Sequence, residues 1–128
     1  MSRLVCVPPN DAGYIWPLVK GLIESAMQKG GMGSFAQVEN NVLHGPDLLW
    51  LAVEGDKIGM ACITSLGADK VCTIVAAGGS FVRFGHLLSD IEQFAKDEGC
   101  KAMRICGRPG WRRLSGYRTK KVILEKAI

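Results

Sequence analysis

The sequence predicts a single α/β domain over residues 1–128, with a mixed, mostly antiparallel sheet flanked by helices. Apolar runs of strand length alternate with segments whose apolar residues recur at helical spacing. Short turns join three strand-like runs between residues 48 and 77, which is typical of antiparallel hairpins. Residues 71–107 then follow the order strand, glycine turn, amphipathic helix and strand. This order predicts a βαβ unit with a right-handed crossover, provided that the two strands pair in parallel.

The N-terminal third is predicted to form one strand and two helices. Residues 2–7 (SRLVCV) form the strand, and a proline pair ends it. Pro17 is expected near the start of the first helix, where proline is tolerated if that helix begins at about Tyr14–Trp16; with any other start it would kink the helix. After a glycine-rich break, Ser34 and Gln37 match a capping box that opens the second helix.

The middle of the chain is predicted to be an antiparallel meander. Residues 48–53 (LLWLAV), 57–65 (KIGMACITS) and 70–77 (KVCTIVAA) are β-rich and apolar. The segments between them are short enough to be hairpin turns.

The βαβ unit is predicted from residue 71 onward. Its first strand ends at Ala77, and Gly78-Gly79-Ser80 closes it as a turn. A helix over about residues 82–98 follows, with Gly99 as its C-terminal stop. Residues 101–106 (KAMRIC) then form the second strand.

A family resemblance arises at this helix, on Leu87-Leu88, Ile91-Glu92, Ala95 and Glu98-Gly99-Cys100. The pattern resembles the central helix of GNAT-type N-acetyltransferases. The resemblance implies a short late helix over Pro109–Leu114 and a last strand over Tyr117–Glu125. The LLWLAVEG and GRPGW segments further resemble a small branch of GNAT-like proteins found in phages and prophages.

The resemblance implies acetyl-CoA as the cofactor, held by the turn between a strand and the central helix. Backbone N–H groups and a helix N-terminus favour a pyrophosphate there. The corresponding cofactor-binding residues are Ala76, Ala77, Gly78, Gly79, Ser80 and Arg83. The sequence departs from the family signature, because Val82 and Phe84 occupy the two positions where small residues are expected. The alternative is that the glycine pair is only a tight turn.

The resemblance also implies a tyrosine that gives a proton to the departing thiolate. The usual position is occupied by Arg112, which cannot act as an acid, so Tyr117 is the candidate catalytic residue. Glu24 and Glu39 are expected to be surface charges of helices, and His44 and His86 to be capping or surface residues. No spacing of His, Cys, Asp or Glu predicts a metal site.

The charge of the chain is unevenly distributed. Residues 1–100 contain seven Lys and Arg against eleven Asp and Glu, whereas residues 101–128 contain nine against one. The basic end predicts an anionic ligand or an acidic protein partner, with Trp111 and its neighbouring arginines as one candidate surface. The alternative is a solvated surface, or a basic end that pairs with the acidic body in a homo-oligomer. No nucleic-acid-binding motif is present.

Composition and cysteine usage predict a cytoplasmic protein that does not enter the membrane. No apolar run reaches the roughly 20 residues that span a bilayer, and the first apolar stretch is too short for a signal peptide. The five cysteines are scattered and odd in number, which favours buried free thiols over a disulfide framework.

Two hypotheses about function follow. The first is acetyl transfer from acetyl-CoA to an unknown amine. The second is a catalytically inactive, phage-associated structural or interaction protein that binds an acidic partner through its basic C-terminal region.

Overall fold

The computed structural model describes residues 2–30, 33–80 and 85–105, together with positions 118, 124, 126 and 127. Within these residues the chain forms five β-strands and three α-helices. They are β1 (Ser2–Cys6), α1 (Ala12–Gly30), α2 (Phe35–Leu43), β2 (Leu48–Glu54), β3 (Lys57–Leu66), β4 (Val71–Gly79), α3 (Leu88–Asp97) and β5 (Ala102–Ile105). Short 3₁₀ turns at Pro9–Asp11 and Gly85–Leu87 precede α1 and α3. The late helix and last strand predicted beyond residue 106 lie outside the described residues.

The five strands form one sheet in the order β1-β2-β3-β4-β5. The first four strands pair antiparallel, and β5 pairs parallel to β4. The predicted α/β class, the antiparallel meander and the parallel βαβ unit are therefore confirmed.

Helices cover both faces of the sheet, and each face has its own apolar core. The α1 face, against which α1 and α2 pack, includes Leu49 and Leu51 of β2. The α3 face includes the alternate residues of the same strand, Trp50 and Ala52, together with Leu88 and Ile91 of α3. Because β2 is buried on both faces, its sequence is continuously apolar instead of alternating.

Two hydrogen bonds of tryptophan side chains lie within these cores. On the α3 face, Trp50 Nε1 donates to Thr64 Oγ1 at 2.9 Å, and the Trp50 ring meets Phe94 edge to face at 5.1 Å. On the α1 face, Trp16 Nε1 donates to Glu39 Oε2 at 2.6 Å. Glu39 was expected to be a surface charge of its helix; it is half-buried on α2, and its carboxylate accepts the hydrogen bond of the buried Trp16 indole.

The start of α1 differs from the prediction, whereas the start of α2 matches it. Helix α1 begins at Ala12, so Pro17 lies inside the helix and not near its start. The Pro17 side chain is exposed to solvent. For α2 the capping prediction is confirmed, because Gln37 N–H donates to Ser34 Oγ at 3.1 Å.

Helix α3 ends just before Gly99, as the sequence predicts. Gly99 adopts φ +84°, a left-handed conformation that glycine reaches without steric cost. Gly99 N–H donates to Lys96 O at 3.0 Å and Cys100 N–H donates to Ala95 O at 2.9 Å. This pair of bonds is a Schellman motif, which satisfies carbonyls at the helix end.

The cysteines are less uniformly buried than predicted. Cys62 and Cys72 are buried, Cys100 is half-buried, and Cys6 is exposed on the edge strand β1. Burial raises the pKa of the Cys72 thiol to about 11, with a smaller contribution from Cys100. Burial also raises the pKa of Cys62 far above its ordinary value. All four of these cysteines are free, and Cys106 lies outside the described residues.

Candidate backbone-edge site at the end of β4

The candidate site lies at the end of β4, beyond the part of this strand that pairs with the described residues of β5. The ladder between the two strands joins Val71–Ile74 to Ala102–Ile105 and extends no further in the described chain. Residues 75–79 of β4 remain paired with β3 on one side. The opposite side of residues 75–79, which faces away from β3, is called the open edge here because no described strand lies beside it.

A β-bulge at Val75 marks the point at which the open edge begins. The β3–β4 register pairs Ile63 with Ala76 but Thr64 with Ile74, so Val75 is the extra residue. Val75 and Ala76 consequently both belong to the α1 face, although neighbouring strand residues normally alternate. A bulge increases local twist, which turns the end of β4 relative to the segment that pairs with β5.

The backbone of the open edge is oriented by hydrogen bonds at both ends of the β3–β4 hairpin. Gly67 N–H donates to Val71 O at 3.0 Å, and Ser80 N–H donates to Gly59 O at 2.9 Å. Backbone N–H and C=O groups of successive strand residues are directed alternately toward and away from the neighbouring strand. Counting forward from Val71 and backward from Ser80, with Val75 as the one extra residue, gives the same directions for the residues between them. The N–H and C=O groups of Ala77 and Gly79 are directed away from β3, toward the open edge.

The predicted glycine turn is wrong, because both glycines are residues of β4. Gly79 has φ +110°, and a Cβ built there would lie 2.4 Å from Gly59 O. A Cβ built at Gly78 would lie 2.1 Å from Leu22 O of α1. Each glycine is therefore required by a close approach of backbone within the chain itself.

The start of α3 lies in the same core as the end of β4. Leu88, the first residue of α3, and Ala77 both belong to the α3 face. The N-cap position is Leu87, which makes no side-chain cap, and Asp90 lies in the first turn. The predicted cofactor-binding residue Arg83 lies outside the described residues, as do Val82 and Phe84.

The structure places the two histidines as predicted, at helix ends. His44 is the C-cap residue of α2, and its N–H donates to Asn40 O at 2.8 Å. His86 is exposed in the 3₁₀ turn before α3, where its carbonyl accepts a hydrogen bond from Ser89 Oγ. Within residues 2–30, 33–80 and 85–105, no three His, Cys, Asp or Glu side chains come together as a metal site. No helix of this part of the chain is long and apolar enough to cross a bilayer.

The candidate acid Tyr117, together with Arg112, lies outside the described residues, as does most of the basic C-terminal region. Arg104 is described, and its Nη1 lies 3.9 Å from Asp69 Oδ2 in an exposed ion pair. Exposed pairs of this kind contribute little to stability. The sequence-based interpretations of the basic end therefore stay predictions.

Sequence reasoning missed three features of this region. The Val75 bulge, the contact of Gly78 with α1 and the Trp16–Glu39 hydrogen bond were not expected. A signal existed only for the last, because a tryptophan on the apolar side of a helix needs an acceptor for its indole N–H.

Known acetyltransferase structures share this fold. The acetyltransferase AAC(6')-Iy, in complex with the bisubstrate analog CoA-S-monomethyl-acetylneamine, is 12% identical at a TM-score of 0.68, covering 100% of this chain and 99% of that chain. The aminoglycoside acetyltransferase meta-AAC0020 from an uncultured soil metagenomic sample, in complex with sisomicin, is 12% identical at a TM-score of 0.67, covering 99% of this chain and 95% of that one.

A GNAT family acetyltransferase from Staphylococcus aureus subsp. aureus USA300_TCH1516 is 18% identical at a TM-score of 0.60, covering 99% of this chain and 98% of that one. No family model matches the sequence, and no curated protein matches it. The chain therefore has the GNAT fold, as its central helix implied, while identities this low carry no further conclusion about activity.

Proposed function

We propose that this GNAT-fold chain binds acetyl-CoA and transfers the acetyl group to an amine. The observation that carries the proposal is the backbone of Ala77 and Gly79 at the end of β4, whose N–H and C=O groups are directed away from β3. An extended ligand that contains amides can pair with such an edge as an added strand does. One neighbour of the same fold is solved with a CoA bisubstrate analog, which supports this cofactor at the level of the fold.

The backbone orientation divides the six predicted cofactor-binding residues into groups. The pantetheine arm of CoA is an extended chain with amide groups, and Ala77 and Gly79 direct N–H and C=O groups toward the open edge. Ala76, Gly78 and Ser80 direct their backbone groups toward β3, so the role we propose for their backbone is to hold the strand in place. Arg83 stays a proposed contact of the pyrophosphate, near the start of α3.

The chemistry requires one proton to leave the acceptor and one to reach the leaving group. Bound acetyl-CoA supplies an acetyl group activated as a thioester. The acceptor nitrogen forms a bond to the carbonyl carbon as the C–S bond breaks, the nitrogen loses a proton and the sulfur gains one. Tyr117 is the proposed donor of the second proton, because a phenol can donate at this step whereas the guanidinium of Arg112 cannot.

The test replaces Ala77 with proline. Ala77→Pro removes one N–H from the open edge and places ring atoms there, while the ladder with β3 stays intact because that N–H is directed away from β3. One lost hydrogen bond of about 1.4 kcal/mol corresponds to about tenfold weaker binding. Isothermal titration with acetyl-CoA and with CoA measures the change.

Ala77→Ser is the matched control, because it alters the side chain and keeps the N–H. We expect it to bind like the wild type, with both variants folded by circular dichroism. Equal affinities of the proline and serine variants would show that the open edge is not the binding surface. A folded wild type that fails to bind either ligand at millimolar concentration would refute the enzyme proposal.

That last outcome would favour the second hypothesis, an interaction protein without acetyl transfer, including its phage association. Its support is the charge of residues 101–128, where nine Lys and Arg stand against one acidic residue. Retention on an anionic resin that is lost when Lys120 and Lys121 are changed to Glu would support it.

A further inference from the structure

Gly78 has a steric role that its backbone conformation does not explain. Only Gly33, Gly55, Gly79 and Gly99 have a positive φ among the described glycines, so Gly78 is an ordinary extended residue. A Cβ on Gly78 would nevertheless lie 2.1 Å from Leu22 O and 2.7 Å from Leu22 C. Glycine inside a strand marks a place where another backbone approaches closely, and here that backbone is helix α1.

The contact lies beside the proposed ligand edge. Gly78 is the residue between Ala77 and Gly79, whose N–H and C=O groups face the open edge. Helix α1 packs on β4 and β3, and Leu22 belongs to the core of the α1 face. Ala77 belongs instead to the core of the α3 face, which α3 covers. A molecule that reaches the open edge from the α1 face must therefore pass beside α1 at Leu22.

We infer that Gly78 is a positioning residue that sets the clearance between α1 and the open edge, and through it the fit of the acceptor amine. The inference rests on the proposed function, because an acceptor is needed for the clearance to matter. Real Cβ atoms essentially never approach other atoms within 3.0 Å, so a side chain at Gly78 requires the backbone of α1 or β4 to shift at this contact. A gap of roughly 0.5–1 Å already forfeits a quarter to a half of a dispersion contact.

Two alanine variants separate this role from general damage to the strand. Gly78→Ala displaces α1 and leaves the edge groups of Ala77 and Gly79 in place. Gly79→Ala is the matched control, because its φ of +110° is strained for alanine and the three atoms nearest to its Cβ all belong to Gly59 and Met60 of β3. The acceptor probes are spermidine and sisomicin, with CoA affinity measured by titration on the same samples.

For Gly78→Ala we expect the KM of the acetylated probe to rise about fivefold or more, with the affinity for CoA within about twofold of the wild type. For Gly79→Ala we expect the reverse pattern, weaker CoA binding with a smaller change in KM. Equal losses in both quantities for both variants would overturn the inference, as would an unchanged KM in Gly78→Ala.

Hydrogen exchange distinguishes failure of this inference from failure of the proposed function. If the wild type does not bind CoA, the proposed function fails on that result alone; if it binds CoA but acetylates neither probe, neither probe is its acceptor. In that case the spacing role is still decided by the backbone amides. Faster exchange around Leu22 of α1 than in α3 in Gly78→Ala supports it, and unchanged exchange in α1 overturns it.

Discussion

The hydrogen bond between Trp50 and Thr64 offers a direct test of how the α3 face is held together. Both residues are buried, with 6% and 1% of their surface exposed, and the donor and acceptor atoms are 2.9 Å apart. Thr64→Val keeps the shape of the side chain and replaces the hydroxyl by a methyl group. The indole N–H of Trp50 then lies in an apolar core without a partner.

The expected cost follows from that unpaired donor. Leaving a buried neutral donor unsatisfied costs about 1–3 kcal/mol, and this bond joins two side chains that water does not reach. We expect a loss of about 2 kcal/mol from the free energy of unfolding. Urea denaturation with a slope of about 2 kcal/mol/M would show this as a midpoint lower by about 1 M.

The control is Thr73→Val on the neighbouring strand β4. Thr73 is half-buried and makes no hydrogen bond through its side chain within the described residues. Its change should stay within about 0.5 kcal/mol. A double-mutant cycle with Trp50→Phe should give a coupling of about 1 kcal/mol or more. A coupling near zero, or equal effects of the two threonine substitutions, would refute the reasoning.

Two further predictions concern the strained turn and the buried thiol of β4. Lys70 has φ +62°, which costs a non-glycine residue about 1 kcal/mol. Lys70→Gly should therefore raise the free energy of unfolding, measured in urea, by up to about 1 kcal/mol, and Lys70→Val should lower it. A gain for valine would contradict this. The pKa of Cys72 is raised from 9.0 to about 11, so the folded state holds this proton more tightly. The contribution of the protonated Cys72 thiol to the free energy of unfolding is complete below about pH 9 and is lost as the pH rises through about 11. Between these pH values the urea midpoint should therefore fall less in Cys72→Ala than in the wild type. Parallel plots of midpoint against pH for the two proteins would count against the burial of this thiol.

Much of the fold is predictable because its signals are local. The apolar run of residues 48–53 predicts a strand of the antiparallel meander, which β2 is. Ser34 predicts the start of α2 and Gly99 the end of α3, since capping involves groups within a few residues of each other. The errors are displaced ends, such as the earlier start of α1 before Pro17.

The candidate site was predictable in position but not in geometry. The order of strand and helix after residue 71 placed it at the end of β4, with the resemblance supplying its chemical meaning. The Ala77 backbone groups are directed away from β3 because Val75 is one extra residue in β4, and no local sequence pattern predicts that bulge. The hydrogen bonds at the two ends of the hairpin decide it.

Periodicity and capping act over single turns and strands, so the fold class, the order of the elements up to β5 and several of their ends could be predicted from local sequence. The reason for the two glycines of β4 could not, because it lies in the packing of β4 against other elements. A Cβ at Gly78 would meet Leu22 of α1, and a Cβ at Gly79 would meet Gly59 of β3, so each glycine is explained by a residue of another element. A glycine in the sequence can provide either space for a close contact or a backbone conformation that other residues avoid. The neighbouring backbone in the folded structure shows which of these two roles it has.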